Sequence, residues 1–167
     1  RGRIESLSVE PTDAPASLSA LDALAEADQV VVGPGSLFTS LAAVLVVPGM
    51  ADAVNASPGR LVYVCNLTTQ DGETLGLDGA GHVRALCAVA GLRPPDVVVA
   101  NDAPFQVPES VTPVWADRGE LAALGARLET AALRTAEPRL IQAYERAVAE
   151  GVCPCCSPAL AAGLRAR

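Results

Sequence analysis

The residues best suited to chemistry gather in one short run, positions 29–40, which reads QVVVGPGSLFTS. Three valines lead into Gly33, Pro34, Gly35 and Ser36, and the hydroxyls of Thr39 and Ser40 follow. Two glycines let backbone N–H groups turn inward and let a ligand approach with no Cβ in the way. A helix beginning near Ser36 presents its first N–H groups and the positive end of its dipole. With the three hydroxyls added, the set suits an anion, above all a phosphate. The same residues also suit a tight strand-to-helix turn in which Ser36 is only a cap.

The elements that must hold this loop follow from periodicity. Strands are expected at residues 29–33, 60–66 (RLVYVCN) and 95–102 (PDVVVAND), with an edge strand at 4–9 and a fourth strand at 111–117. Helices are expected at 17–27 with Ser17 as N-cap, at 36–47 up to the break at Pro48-Gly49, at 50–55 and at 82–90. From residue 120 to 150 the pattern is helical with an interruption near Pro138, and 159–165 adds a short helix. Apolar strands joined by helices predict an α/β, Rossmann-like three-layer fold with a mostly parallel sheet. The expectation is one domain, residues 1–167, whose end (120–167) is a helical region. Ligands of such sheets gather beyond the carboxyl ends of the strands. That rule points to residues 33–40, to 66–74 (NLTTQDGET) and to Asn101-Asp102.

Composition narrows the function. Half of the 167 residues are hydrophobic and 19% are charged, as in a folded domain. A net charge of −7 argues against a nucleic-acid partner, which needs clustered cations. The apolar run 41–51 is broken by Pro48-Gly49 and is too short to span a bilayer, so no membrane partner is expected. All twelve cationic side chains are Arg; without Lys there is neither a Walker-type phosphate loop nor a Schiff base. Five cysteines do not pair evenly, which favours a reducing, cytoplasmic setting. The first residue is Arg1, which suggests a trimmed or partial chain.

Several other features are weaker. The run Cys153–Cys156 (CPCC) has one two-residue gap but no second ligand pair for zinc, so it reads as a redox-sensitive tail and no metal is assigned. His82, the one histidine, lacks a nucleophile elbow to serve and is placed at the start of its helix, bonded to a neighbouring loop. GLDGAG (76–81) has neither the preceding strand nor the order of a dinucleotide fingerprint. No catalytic residue is assigned.

The phrases ADQVVVGPGSLFTSL, VPGMADAV and VYVCNLTTQDGETLG, with GHVRAL behind them, resemble the YvcK family of gluconeogenesis factors, relatives of the 2-phospho-L-lactate transferase CofD. The resemblance runs over about residues 4–101 and rests on two ordered motifs, GPGSLFTS and TQ-x-GET. It implies a cytoplasmic bacterial protein that binds a nucleotide sugar, UDP-N-acetylglucosamine or UDP-glucose. The implied role is regulation of cell shape and cell-wall synthesis during gluconeogenic growth, not catalysis. It also implies that this chain is the C-terminal portion of the family's protein, without the half that carries a further Gly-rich phosphate loop.

In that scheme Gly33, Pro34, Gly35, Ser36, Thr39 and Ser40 bind the diphosphate, while Thr69, Gln70 and Glu73 face the sugar or nucleoside. Asn66, at a strand end, touches ligand or caps the loop backbone, and Asn101, at another strand end, is counted among the ligand-binding residues. Glu73 and Asp71 suit a metal or a ribose hydroxyl, and Asp71-Gly72 equally suits a plain turn. The sequence departs from the family at Ala43-Val44, Asp71 and Gly81, where Pro-Asn, Pro and Asp are usual. The alternative is a CofD-like transferase that uses Mg²⁺. The apolar segment 41–50 leaves room for a homo-oligomer.

Overall fold

Valine-rich runs build the sheet, because β-branched side chains fill a pleated surface covered by helices. The computed structural model describes residues 4–105, 107 and 112–133. These belong to the first of two compact units, Arg1–Leu133. The second unit, Arg134–Arg167, lies outside the described residues, together with the helices expected there and the Cys153–Cys156 run.

Helix α1 (Leu18–Ala25) leads into β1 (Gln29–Val32). A π-helical turn, Leu37–Ala42, then continues into α2 (Ala43–Leu45), α3 (Met50–Ala56) and β2 (Arg60–Val64). Helix α4 (Gly79–Ala90), β3 (Val97–Asn101), α5 (Arg118–Ala123) and β4 (Arg127–Ala131) complete the described chain. The strands lie in the order β1-β2-β3-β4, each parallel to its neighbour. This is the α/β architecture with a parallel sheet that the valine runs predict.

Register places Val30 beside Leu61, Val32 beside Tyr63, Tyr63 beside Val98 and Val98 beside Leu128, so these side chains share one face. That face packs with Leu37, Phe38, Leu45, Val83, Leu86 and Leu121 into the core. On the other face Val31 is 54% exposed. No single helix among the described residues is long and apolar enough to cross a membrane.

Local chemistry fixes the helix ends. Asp78 caps α4 by accepting a hydrogen bond from the Gly81 amide at 2.6 Å, so the helix starts three residues ahead of the expected His82. Asp117 caps α5 in the same way through the Glu120 amide at 2.8 Å. Ser17 does occupy the N-cap of α1, yet its hydroxyl meets Ser19 Oγ at 2.9 Å instead of a helix amide.

Three expectations are corrected. Residues 4–9 form no strand; Ile4 and Leu7 simply pack against the core. Residues 112–117 do not join the sheet either. They make a single antiparallel bridge, Thr68 to Pro113, flanked by hydrogen bonds from Thr69 N to Thr112 O (2.8 Å) and from Val114 N to Leu67 O (2.9 Å). Pro113 has no N–H to extend a ladder. Finally, the run expected to be helical from residue 120 stops at α5, and β4 takes its place at Arg127–Ala131. Gly125, at φ 85°, turns the chain out of the helix, and the buried Leu128 seats the strand.

Candidate functional site

The loop after β1 crosses the carboxyl end of β2. Gly33 has φ 90°, in the left-handed region, and a Cβ there would lie 2.7 Å from the Val64 carbonyl oxygen. The first glycine is therefore required by the loop's own packing on β2, where ligand access was expected to be the reason. Gly35 also has a structural partner: its amide donates to Asn66 Oδ1 at 3.1 Å. Asn66 thus caps the loop backbone, one of the two roles anticipated for it. Pro34 and Ser40 are exposed beside them.

Beyond the loop, the amides of Ser40 (3.2 Å) and Leu41 (3.0 Å) make the first helical bonds, both to the Ser36 carbonyl. The amides of Leu37, Phe38 and Thr39 precede those bonds, as the first N–H groups of any helix must. Ser36 Oγ donates to Glu73 Oε2 at 2.6 Å, and Thr39 Oγ1 donates to Glu73 Oε1 at 3.0 Å. The two hydroxyl oxygens stand 2.5 Å apart. A carboxylate of the chain itself therefore bonds the two hydroxyls expected to face a phosphate.

Glu73 stands on a turn closed by Thr74, whose hydroxyl accepts from the Gln70 amide (2.8 Å) and whose amide donates to the Gln70 carbonyl (2.9 Å). Gln70 is exposed. Thr69 is buried instead, and its hydroxyl accepts from the Thr112 amide at 2.9 Å. Asn101 is likewise committed: its Nδ2 donates to the Ala103 carbonyl (2.6 Å) and its Oδ1 accepts from the Leu133 amide (3.1 Å). Both side chains pin segments of the fold and do not reach the loop's hydroxyls. Glu73 also lines a cleft of about 940 Å³, together with Phe38, Asp71, Leu77 and Arg84 among others.

A buried polar group lies along β2 and the start of α4. Tyr63 on β2 and Cys65 just past its end both belong to the core, with the Tyr63 ring under Gly33. Burial, and secondarily the charge of Asp78, pushes the Cys65 thiol up to about 12. Burial first, then Cys65, raises the Tyr63 hydroxyl far above its ordinary value. His82 is fully buried, and its Nδ1 lies 2.7 Å from the Asp78 carbonyl. That carbonyl can only accept, so Nδ1 carries the proton and Nε2 is a bare acceptor. Among the described residues neither His82 Nε2 nor the Tyr63 hydroxyl has a partner. Burial lowers the His82 pKa despite the opposing Asp78 contact.

His82 therefore sits in the first turn of α4, bonded to the N-cap residue of its own helix and not to a neighbouring loop. Tyr63 escaped attention, although a lone tyrosine in a strand of valines is itself a signal, since its hydroxyl needs a partner. Among the described residues no three His, Cys, Asp or Glu side chains are grouped to hold a metal.

Comparison with known proteins places the chain in a family. The family model described as "2-phospho-L-lactate transferase CofD" matches residues 1–134. The gluconeogenesis factor of Halalkalibacterium halodurans is 35% identical over 130 residues, which cover 74% of this chain and 40% of that protein. The gluconeogenesis factor of Bacillus subtilis is 40% identical over 112 residues, covering 63% and 35%. A crystal structure of a Bacillus halodurans protein superposes with a TM-score of 0.73 at 33% identity, covering 78% of this chain and 44% of its own. The chain therefore spans less than half the length of these relatives. With the parallel sheet, the GPGSLFTS loop and a match over most of its length, the chain belongs to the CofD family, among relatives named gluconeogenesis factor.

Proposed function

We propose that this rim forms part of a nucleotide-sugar site and that the protein is a regulator in place of an enzyme. The ligand class is a UDP-sugar, UDP-N-acetylglucosamine or UDP-glucose, and the role is control of cell shape and wall synthesis during gluconeogenic growth in the cytoplasm. One observation carries the reading: the hydroxyls of Ser36 and Thr39 lie together at the carboxyl end of a parallel sheet, on a turn whose helical bonds begin only at the Ser40 amide. Amides ahead of the first helical bond, with hydroxyls alongside, make a cradle for phosphate oxygens. The exposed Gln70 and the Glu73 turn border this cradle and would meet the sugar or nucleoside. The names of the relatives support the regulatory part.

Titration calorimetry of the 167-residue chain with UDP-N-acetylglucosamine, UDP-glucose and free UDP tests the reading. Heat of binding that disappears in a Ser36→Ala, Thr39→Ala double variant is the expected result. Absence of heat for every UDP compound, with the chain folded by circular dichroism, rejects it.

The family's description favours a second reading, transfer of a phospholactyl group from a guanylyl donor to a deazaflavin acceptor. There Glu73, already grouped with two hydroxyl oxygens, offers the hard oxygen donors that Mg²⁺ prefers. Product formation from guanylyl-phospholactate and the acceptor would establish that activity, and a flat time course would retire it.

A further inference from the structure

Strand register gathers arginine at the end of the sheet opposite the rim. Gln29 pairs with Arg60, Val62 with Val97 and Val97 with Arg127. Arg60 and Arg127 therefore project from the amino ends of β2 and β4 on the face away from the core. A cleft of about 780 Å³ is lined there by Arg60, Arg93 and Arg127, with Asp28, Asp96 and Val97 among the other residues. In a chain of net charge −7, cations outnumber acids in this lining. The three arginines are not equally engaged. Arg93 spends both terminal nitrogens on Asp96, at 3.2 and 3.1 Å, and Asp96 also accepts from the Leu61 amide at 2.7 Å. That pair is balanced within itself and forms a fixed wall. Arg127 Nε lies 3.1 Å from Glu129 Oε1, and its terminal nitrogens hold no hydrogen bond among the described residues. The Arg60 side chain has neither a hydrogen bond nor an ion pair among the described residues. Asp96 is held below its ordinary pKa first by Arg93 and last by the charge of Arg60, which places the Arg60 guanidinium near the same wall.

We propose that this cleft is a second anion site, separate from the rim, and that it takes a small ligand carrying a diphosphate. Two guanidiniums enter one cleft with donors to spare, and each is a planar fork that matches phosphate oxygens in pairs. Strand β3 separates β2 from β4, so the two forks spring from backbones roughly 10 Å apart and suit two phosphoryl groups better than one. Arg60 and Arg127 hold one phosphoryl group each, beside the Arg93–Asp96 wall. A large polyanion is repelled by the surplus of acids on the rest of the chain, whereas a small one meets only the cleft. The site does not depend on the reading of the rim, from which the length of β2, roughly 13 Å, separates it.

Calorimetry with pyrophosphate tests the site in the 167-residue chain carrying Ser36→Ala and Thr39→Ala, so that the rim hydroxyls take no part. Binding of one pyrophosphate per chain is the expected result. Arg60→Gln and Arg127→Gln are each expected to weaken it about tenfold, and the two together to abolish the heat. Arg60→Lys and Arg127→Lys keep the charge, lose the fork and are expected to weaken binding less; they also serve if a Gln variant fails to fold. Orthophosphate is expected to bind about tenfold more weakly than pyrophosphate, since it engages one fork only. Tighter binding of UDP than of pyrophosphate identifies the source as a nucleoside diphosphate, the reverse order identifies a free diphosphate, and either supports the site. Unchanged affinity in the arginine variants overturns the proposal. Binding that vanishes with the rim hydroxyls and ignores the arginines also overturns it and leaves the rim standing. Equal affinity for orthophosphate overturns the assignment to a diphosphate. Absence of heat for every phosphate in the folded chain overturns the site as a whole, while the UDP-sugar titration of the unaltered rim remains a separate result.

Discussion

At the scale of single residues, the two glycines of the loop do different work although they stand two positions apart. Gly33 combines a positive φ with a backbone oxygen 2.7 Å from where a Cβ would go. Gly35 has no such φ, and its nearest neighbour is the end of a flexible side chain, Leu41 Cδ2, at 3.3 Å. Gly33→Ala is therefore expected to destabilise the chain by about 1–3 kcal/mol, through strain and a displaced β2 terminus. Gly35→Ala should cost clearly less. Urea unfolding of the two variants decides the matter, and equal costs would mean that the loop does not rest on β2 as described. Cys65 offers a second check at this scale. Its thiol is 2% exposed and its pKa is pushed up to about 12, so almost no thiolate forms near neutral pH. Alkylation followed by peptide mapping should leave Cys65 unmodified in the folded chain while Cys87, only half-buried, reacts; prompt labelling of Cys65 would contradict its placement.

At the scale of elements, α4 couples the stability of the fold to pH through His82. Burial holds the folded-state pKa of His82 below the ordinary 6.5. As pH falls through that region the unfolded chain takes up a proton that the folded chain refuses, so stability is full above it and declines below. One such site contributes a slope of at most about 1.4 kcal/mol per pH unit. Asp96 is held below its ordinary 3.8 by its hydrogen bond with Arg93, so its loss comes at lower pH and does not overlap. His82→Gln should flatten the change in urea midpoint between about pH 7.5 and about pH 5.5. An unchanged slope would show that His82 does not titrate as its burial requires. Not every element was as legible in the sequence as α4. The valine runs announced β1, β2 and β3 because buried parallel strands need apolar residues on both faces. RLETA concealed β4, since Leu128 is its one buried side chain and the remainder reads as helix. The segment 112–117 misled in the opposite sense: its apolar residues line the core edge, but Pro113 denies them a ladder.

At the scale of the whole molecule, the rim that the strand ends form was legible as a candidate site, and its wiring was not. Strand ends in a parallel sheet locate a ligand rim from the sequence alone. The bonds from Gly35 to Asn66, from Ser36 to Glu73 and from Thr69 to Thr112 join residues 31, 37 and 43 positions apart, and no local pattern encodes them. What the edge strand β1 does encode is a sidedness along its own length. Val30 and Val32 are each 8% exposed and belong to the core, whereas Val31 between them is 54% exposed. Truncating Val32 to Ala removes buried methyl groups and leaves a void, at a cost of about 2 kcal/mol. Truncating Val31 should cost no more than about 0.5 kcal/mol, because water already reaches it. Urea midpoints for Val31→Ala and Val32→Ala measure the contrast within a single strand. If both variants lose similar stability, something covers the Val31 face in solution, and the core of this chain is not gathered on the side that carries the loop.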